Sequence, residues 1–152
     1  MPKKGFTLIE LLVVIAIIAS LAGVMVLQFR GAQGAARDTR RKSDLRQYQL
    51  ALEKYANLNN GLYPNNAGVN LTSLCITLGI IGQCPDDPQA TNPYRYWSTG
   101  TATYLVYARL EKPVGGQLQY FVLCQNGNVG RIPAAGGGAW VPSGTCPNNL
   151  QQ

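Results

Sequence analysis

The stretch Lys3-Lys4-Gly5-Phe6-Thr7-Leu8-Ile9-Glu10-Leu11-Leu12-Val13-Val14-Ile15-Ala16-Ile17-Ile18-Ala19 constrains this chain more than any other. Two lysines and a glycine lead into an apolar run that continues to about Phe29 and contains no proline. About 20 such residues in a helix suffice to cross the hydrocarbon core of a bilayer. A helix that is apolar on every side has no face for water, so it needs lipid or other helices around it. Within the run stands one carboxylate, Glu10. A charge there is costly unless it is paired or close to the interface, so it asks for a functional reason.

These residues resemble the amino terminus of the type IV prepilins and type II secretion pseudopilins. That family has a short basic leader ending in Gly, then Phe-Thr-Leu-Ile-Glu and an unbroken apolar helix. The resemblance implies that residues 1–5 are a leader, that prepilin peptidase cuts between Gly5 and Phe6, and that the new amino terminus is methylated. It implies storage in the cytoplasmic (inner) membrane through residues 6–30, as a single pass with the head periplasmic or extracellular. An inner-membrane assembly platform and its ATPase would then polymerise the chain, with identical or related pilin subunits, into a filament at the cell envelope or surface. Secretion pseudopilus, surface pilus and DNA-uptake pilus all stay open.

In a packed filament the Phe6 ammonium of one subunit and the Glu10 carboxylate of a neighbour are opposite charges among apolar helices. Buried alone, each is costly; paired, much less so. Many pilins bend this helix with a late proline, and the lack of one here predicts a straighter helix. The glycines at 31 and 34 mark a segment that would extend or melt on assembly.

An ordinary secretory signal is the competing reading. Lys3 and Lys4 form a basic region, Leu11 to Ile18 an apolar one, and Ser20-Leu21-Ala22 a small-residue cleavage site. Cleavage there would release a soluble secreted binding module. Against it, Glu10 interrupts the apolar region, and Val24-Met25-Val26-Leu27 carries it past the cut.

Residues 31–152 read as an amphipathic helix followed by a small head. Leu45, Tyr48, Leu52 and Tyr55 recur at three- and four-residue intervals, with Ala51 and Leu58 beside them, and Asn59-Asn60-Gly61 supplies a stop. Arg37, Arg40, Arg41, Lys42 and Arg46 cluster with Asp38 and Asp44, which predicts a solvated face with Asp38–Lys42 and Arg40–Asp44 pairs. The sharper alternative is a DNA- or phospholipid-binding strip; no aromatic residues interleave this cluster to stack bases, so the solvated face is the expected reading and nucleic acid is not an expected partner.

From Gly61 to about Asn92 the composition is that of a loop, with a short helical turn near Leu71 to Leu78. Gly61-Leu62-Tyr63-Pro64, Asp87-Pro88 and Asn92-Pro93-Tyr94-Arg95-Tyr96 are similar to elements of major pseudopilins. Strands are expected over 103–111, with Tyr104, Val106, Ala108 and Leu110 on one face, then over 118–125 and about 128–132. Asn126-Gly127 reads as a type I′ turn between the last two. A glycine-rich loop over 134–139 and a brief pairing of Trp140-Val141 would follow. The expected fold is α+β, a long N-terminal helix on a three- or four-stranded antiparallel sheet.

Cys75, Cys84, Cys124 and Cys146 allow three disulfide connectivities, with buried free thiols as the alternative. Local pairing, Cys75–Cys84 and Cys124–Cys146, is the expected one; the second would tie the tail to a strand, as C-terminal disulfides do in many pilins. With no histidine anywhere, the common catalytic triads and most metal-hydrolase sites are ruled out, so neither catalysis nor a cofactor is expected. Major pseudopilins commonly bind calcium through aspartates after the last hairpin. Here 128–149 holds no acidic residue, and no metal is expected.

Overall fold

The computed structural model describes residues 5–134, 145–148 and 150–151, without the side chains of 24–30. Residues 1–4 of the expected leader, most of the glycine-rich loop and Trp140-Val141 lie outside the described residues. The chain divides into two compact units, Met1–Ala35 and Ala36–Gln152.

One helix, α1 (Leu8–Leu58), runs through 51 residues, including Gly31. It stops where Asn60 and Gly61 both turn left-handed, with φ of 55° and 79°. The Gly61 N–H donates back to the Ala56 carbonyl at 2.8 Å. In the second unit α1 buries Leu45, Tyr48, Leu52 and Ala56 along one stripe, with Tyr55 and Ala51 at its margin. Leu58, expected beside that stripe, is 77% exposed, because the helix ends there beyond the edge of the core.

The stripe packs on a five-stranded antiparallel meander, one strand more than expected. The strands are β1 (Asn65–Asn70), β2 (Arg95–Thr99), β3 (Leu105–Arg109), β4 (Gln119–Cys124) and β5 (Val129–Pro133), paired in that order. The extra strand is β1, which lies in the stretch expected to be loop. Its sequence, Asn-Asn-Ala-Gly-Val-Asn, has no apolar alternation to reveal it. It is held by backbone pairing to β2, with the register shifting between Ala67 and Val69 around Gly68, whose φ is 72°. The expected helical turn is a short 3-10 helix, Leu71–Leu74.

Tyr104, Val106, Ala108 and Leu110 do share the face toward α1, opposite Phe121 and Leu123 of β4. The other face carries a second cluster of Leu105, Val122 and Cys124, with Trp97, Tyr107, Tyr120, Cys146 and Leu150 against it. The β4–β5 turn is not type I′, because that turn needs positive φ at both central residues. Among the described residues Asn60 is the only non-glycine with positive φ, so Asn126 is excluded. Gly127 alone is left-handed (φ 81°), and the Cys124 N–H donates to the Asn128 carbonyl at 3.0 Å, which is the three-residue loop with a glycine bulge.

Two disulfides close the head, Cys75–Cys84 and Cys124–Cys146. The second leads into a tail segment that caps the sheet: Arg131 and Gln151 exchange backbone hydrogen bonds of 2.7 and 2.9 Å beside β5. Gly130 makes room for this contact, since a Cβ there would stand 2.7 Å from the Leu150 Cβ and 2.8 Å from the Gln151 carbonyl oxygen. Gly130→Val should therefore displace the tail and uncover the Leu105–Val122 cluster. Hydrogen exchange of the Gln151 and Arg131 amides checks this: loss of protection at both is expected, with that of β2 and β3 retained.

Candidate functional site

Two places carry the polar chemistry, the start of α1 and the root of the head. At the first, Gly5 and Phe6 precede the helix and Phe6 is 86% exposed. Thr7 is the residue before the first helical turn, and Glu10 lies within that turn. The Glu10 carboxylate accepts from the Thr7 N–H at 2.9 Å and from the Thr7 hydroxyl at 2.7 Å, while the Glu10 N–H donates back to the Thr7 oxygen at 3.4 Å. This is a capping box, which satisfies helix-start donors that otherwise have no partner. Glu10 therefore has local hydrogen-bond partners within its own chain. Thr7 is a capping partner of Glu10 that the sequence reading misses, although its Thr-x-x-Glu spacing is a readable signature of such a box.

Around Glu10 the helix is apolar and uncovered. Leu8, Ile9, Leu11, Leu12, Val13, Val14, Ile15, Ile17, Ile18 and Leu21 are each between 46% and 84% exposed. They point to every side, so no fold of the first unit hides them. Among the described residues no helix meets the length and apolarity of a membrane crossing.

At the second place the basic cluster departs from the expected solvated face. Arg41 is 1% exposed. Its Nε and Nη2 grip Asp87 at 2.6 and 2.9 Å, and its Nη1 meets Asp38 at 2.8 Å and Glu111 at 2.6 Å. Arg37 holds Glu111 from the other side at 2.6 Å. Asp38 does not pair with Lys42; it accepts from the backbone N–H groups of Glu111 and Lys112 at 2.9 and 3.0 Å. The Lys42 ammonium lies 5.5 Å from the centre of the Phe121 ring instead. Arg40 and Asp44 do approach, at 3.7 Å.

The physical reason is desolvation. A buried guanidinium must satisfy its donors, and the planar fork matches a carboxylate two bonds at a time. Asp87 and Glu111 lie 46 and 70 positions from Arg41, so helical spacing gives no sign of them. The same logic runs along α1, where Asp44 accepts from the Tyr94 hydroxyl at 2.8 Å and Glu53 from those of Tyr63 and Tyr104 at 3.0 and 3.1 Å.

Hydrogen bonding to Arg37 first, and to Arg41 as well, holds the Glu111 carboxyl down at about 2, against a smaller opposing effect of desolvation. Its folded value lies below the unfolded one near 4.5. The stability it contributes is thus complete above that value and is lost as pH falls toward the folded one. Glu111→Gln should accordingly lower the urea midpoint at neutral pH, with the gap from wild type narrowing as pH drops through that window. Arg41→Met leaves the Asp87 carboxylate, 0% exposed, without its cation. A loss of about 3–5 kcal/mol is expected, measurable by the same unfolding curves.

Among the described residues no group of three or more His, Cys, Asp or Glu side chains is placed to hold a metal ion.

Comparison with known proteins adds three findings. The family described as the prokaryotic N-terminal methylation motif matches residues 1–26. Type II secretion system core protein G of Pseudomonas aeruginosa is 32% identical over 110 residues, which are 65% of this chain and 76% of that protein. The type IV wide pilus major component PilA4 of Thermus thermophilus is 40% identical over 83 residues, 51% of this chain and 63% of that protein. No solved structure gives a significant match.

Proposed function

Since the chain belongs to the type IV pilin and type II secretion pseudopilin family, whose members are structural subunits and not enzymes, we propose that it is a prepilin cut between Gly5 and Phe6, methylated on Phe6 and polymerised through α1. In the family reading it joins other pilin subunits in an envelope-associated filament. Prepilin peptidase, a membrane assembly platform and its ATPase are the partners this route requires.

One observation supports the reading most: α1 from Leu8 to Leu21 is apolar on all sides and uncovered. Such a surface requires lipid before assembly and neighbouring helices after it. Before cleavage, Thr7 satisfies Glu10. After cleavage, the Phe6 ammonium of an incoming subunit offers a stronger partner. At an effective dielectric near 20 and 4 Å the attraction is about 4 kcal/mol, enough to favour one axial register over its neighbours. The Cys124–Cys146 bridge anchors the tail in a region without acidic residues, where a calcium loop would otherwise have done so.

Two substitutions test the pairing. Glu10→Ala should abolish filaments while leaving the thermal unfolding of the head unchanged, because among the described residues Glu10 hydrogen-bonds to Thr7 at the far start of α1. Thr7→Val removes the box but spares the charge, and should slow assembly without abolishing it. Filament yield by electron microscopy and shearing is the readout. Wild-type filaments from the Glu10→Ala chain would contradict the reading and revive the secreted module.

A further inference from the structure

Three large apolar side chains of the head stand in solvent beside charges of opposite sign. Ile76 is 93% exposed and Ile81 99%, both on the connection from β1 to β2, and Leu50 is 72% exposed on α1. Single exposed apolar residues are ordinary on a folded surface. These differ in being held in place and in having charged neighbours without partners.

The isoleucines sit on a shaped loop. Leu74, Cys75 and Leu78 are buried in the core, Ile80 packs against it, and the Cys75–Cys84 bridge holds the loop ends with their Cα atoms 6.0 Å apart. Those residues serve the core and leave Ile76 and Ile81 outside it. Asp86 follows two residues beyond the bridge, within about 7 Å of Cys84 along the chain. The bridge therefore keeps Asp86 at the same end of the loop as Ile76. Of the six carboxylates of the head, Asp86 alone is exposed. The others are engaged: Asp38, Asp87 and Glu111 with Arg37 and Arg41, Asp44 with Tyr94, and Glu53 with Tyr63 and Tyr104. Asp86 accepts from the Asp87 N–H at 2.8 Å and, among the described residues, forms no ion pair.

Leu50 sits between two cations. Arg46, Leu50 and Lys54 recur every four residues and all are exposed. At 100° per residue they run along the middle of the arc opposite the buried Leu45, Tyr48 and Leu52, over about 12 Å of the axis. Neither Arg46 nor Lys54 has an ion-pair partner among the described residues. Loop and stripe thus carry complementary charge and matching apolar groups, and within one chain Asp86 does not pair with either cation of the stripe. We propose that the Ile76–Ile81 loop of one head docks on the Arg46–Leu50–Lys54 stripe of a second copy, with the isoleucines over Leu50 and Asp86 entering between the two cations. All these residues lie in the unit Ala36–Gln152, so the contact is between heads. Loop and stripe are different surfaces, so the contact is heterologous: each pair of copies leaves one loop and one stripe open to the next. The proposal rests on the filament reading above and adds a contact between heads to the packing of apolar helices. The area is small, so it acts between subunits already held side by side, where effective concentration is high.

The test uses filaments sheared from cells that express the full chain. A water-soluble carbodiimide joins a carboxylate and an amine in contact, and the reduced, denatured products are separated by size and digested for mass spectrometry. The expected result is a dimer-sized product that yields the Asp86–Lys54 cross-linked peptide, several-fold less of it when the reaction is run at high salt. Asp86→Lys, and separately Arg46→Glu/Lys54→Glu, should each lower filament yield several-fold with the thermal unfolding of the subunit unchanged. Combining all three should restore the yield, a rescue that independent structural roles for the two sides would not produce. Filaments that give the Asp86–Lys54 peptide only from monomer-sized product, or not at all, overturn the contact and leave the filament reading intact. Asp86 linked to a different protein of the fibre assigns the loop to another subunit and overturns the proposal. Absence of filaments from the wild-type chain overturns the filament reading, and the contact falls with it.

Discussion

The head is organised around one buried cation. Arg41 sits on α1, Asp87 in the loop that approaches β2, and Glu111 just beyond β3, and the guanidinium joins all three. Apolar packing can bring a helix to a sheet, but it is not directional, and a stripe of Leu and Tyr tolerates sliding. A forked donor with its carboxylates at fixed distances does not. Asp38 extends the arrangement by accepting from two backbone N–H groups at the β3–β4 connection, so that the helix is held to main chain as well as to side chains. Breaking any one of these contacts strands a charge that burial has already desolvated.

That fixed attachment gives α1 two different obligations. Beyond Ala36 it presents an apolar stripe to the sheet and turns its carboxylates inward, and its outer arc is left polar and cationic. From Leu8 to Leu21 its apolar side chains are uncovered on all sides, with Glu10 as the one charge among them. A helix of the second kind is unsuitable for a free globular protein and suitable for a subunit stored in lipid and packed among copies of itself. The match to secretion protein G and to the wide-pilus component PilA4 places the chain in a family of structural subunits.

Much of this is legible in the residues. The Phe-Thr-Leu-Ile-Glu run, the Leu45–Tyr48–Leu52 period and the alternation of β3 each follow from local spacing, and local spacing is what a sequence displays. Three features escape because their causes are not local. β1 is held chiefly by backbone pairing to β2, with only Val69 against the core, so its asparagines carry no alternating pattern. Arg41 looks like any other basic residue in a mixed cluster, since its partners come from distant loops. The β4–β5 turn contains Asn-Gly, but it is closed by Cys124 and Asn128, one residue wider on the β4 side than a type I′ turn would be. Thr7 differs from these: its spacing to Glu10 is a local signal, overshadowed by the charge it caps.

The claim that matters most is that the mature chain begins at Phe6. Intact mass of the protein purified from membranes measures this directly. A mass corresponding to residues 6–152 with one added methyl group and two disulfides is the predicted result. A mature chain beginning at Gly23 would mean that an ordinary signal peptidase had removed the apolar helix and Glu10 with it, and the filament account would be wrong.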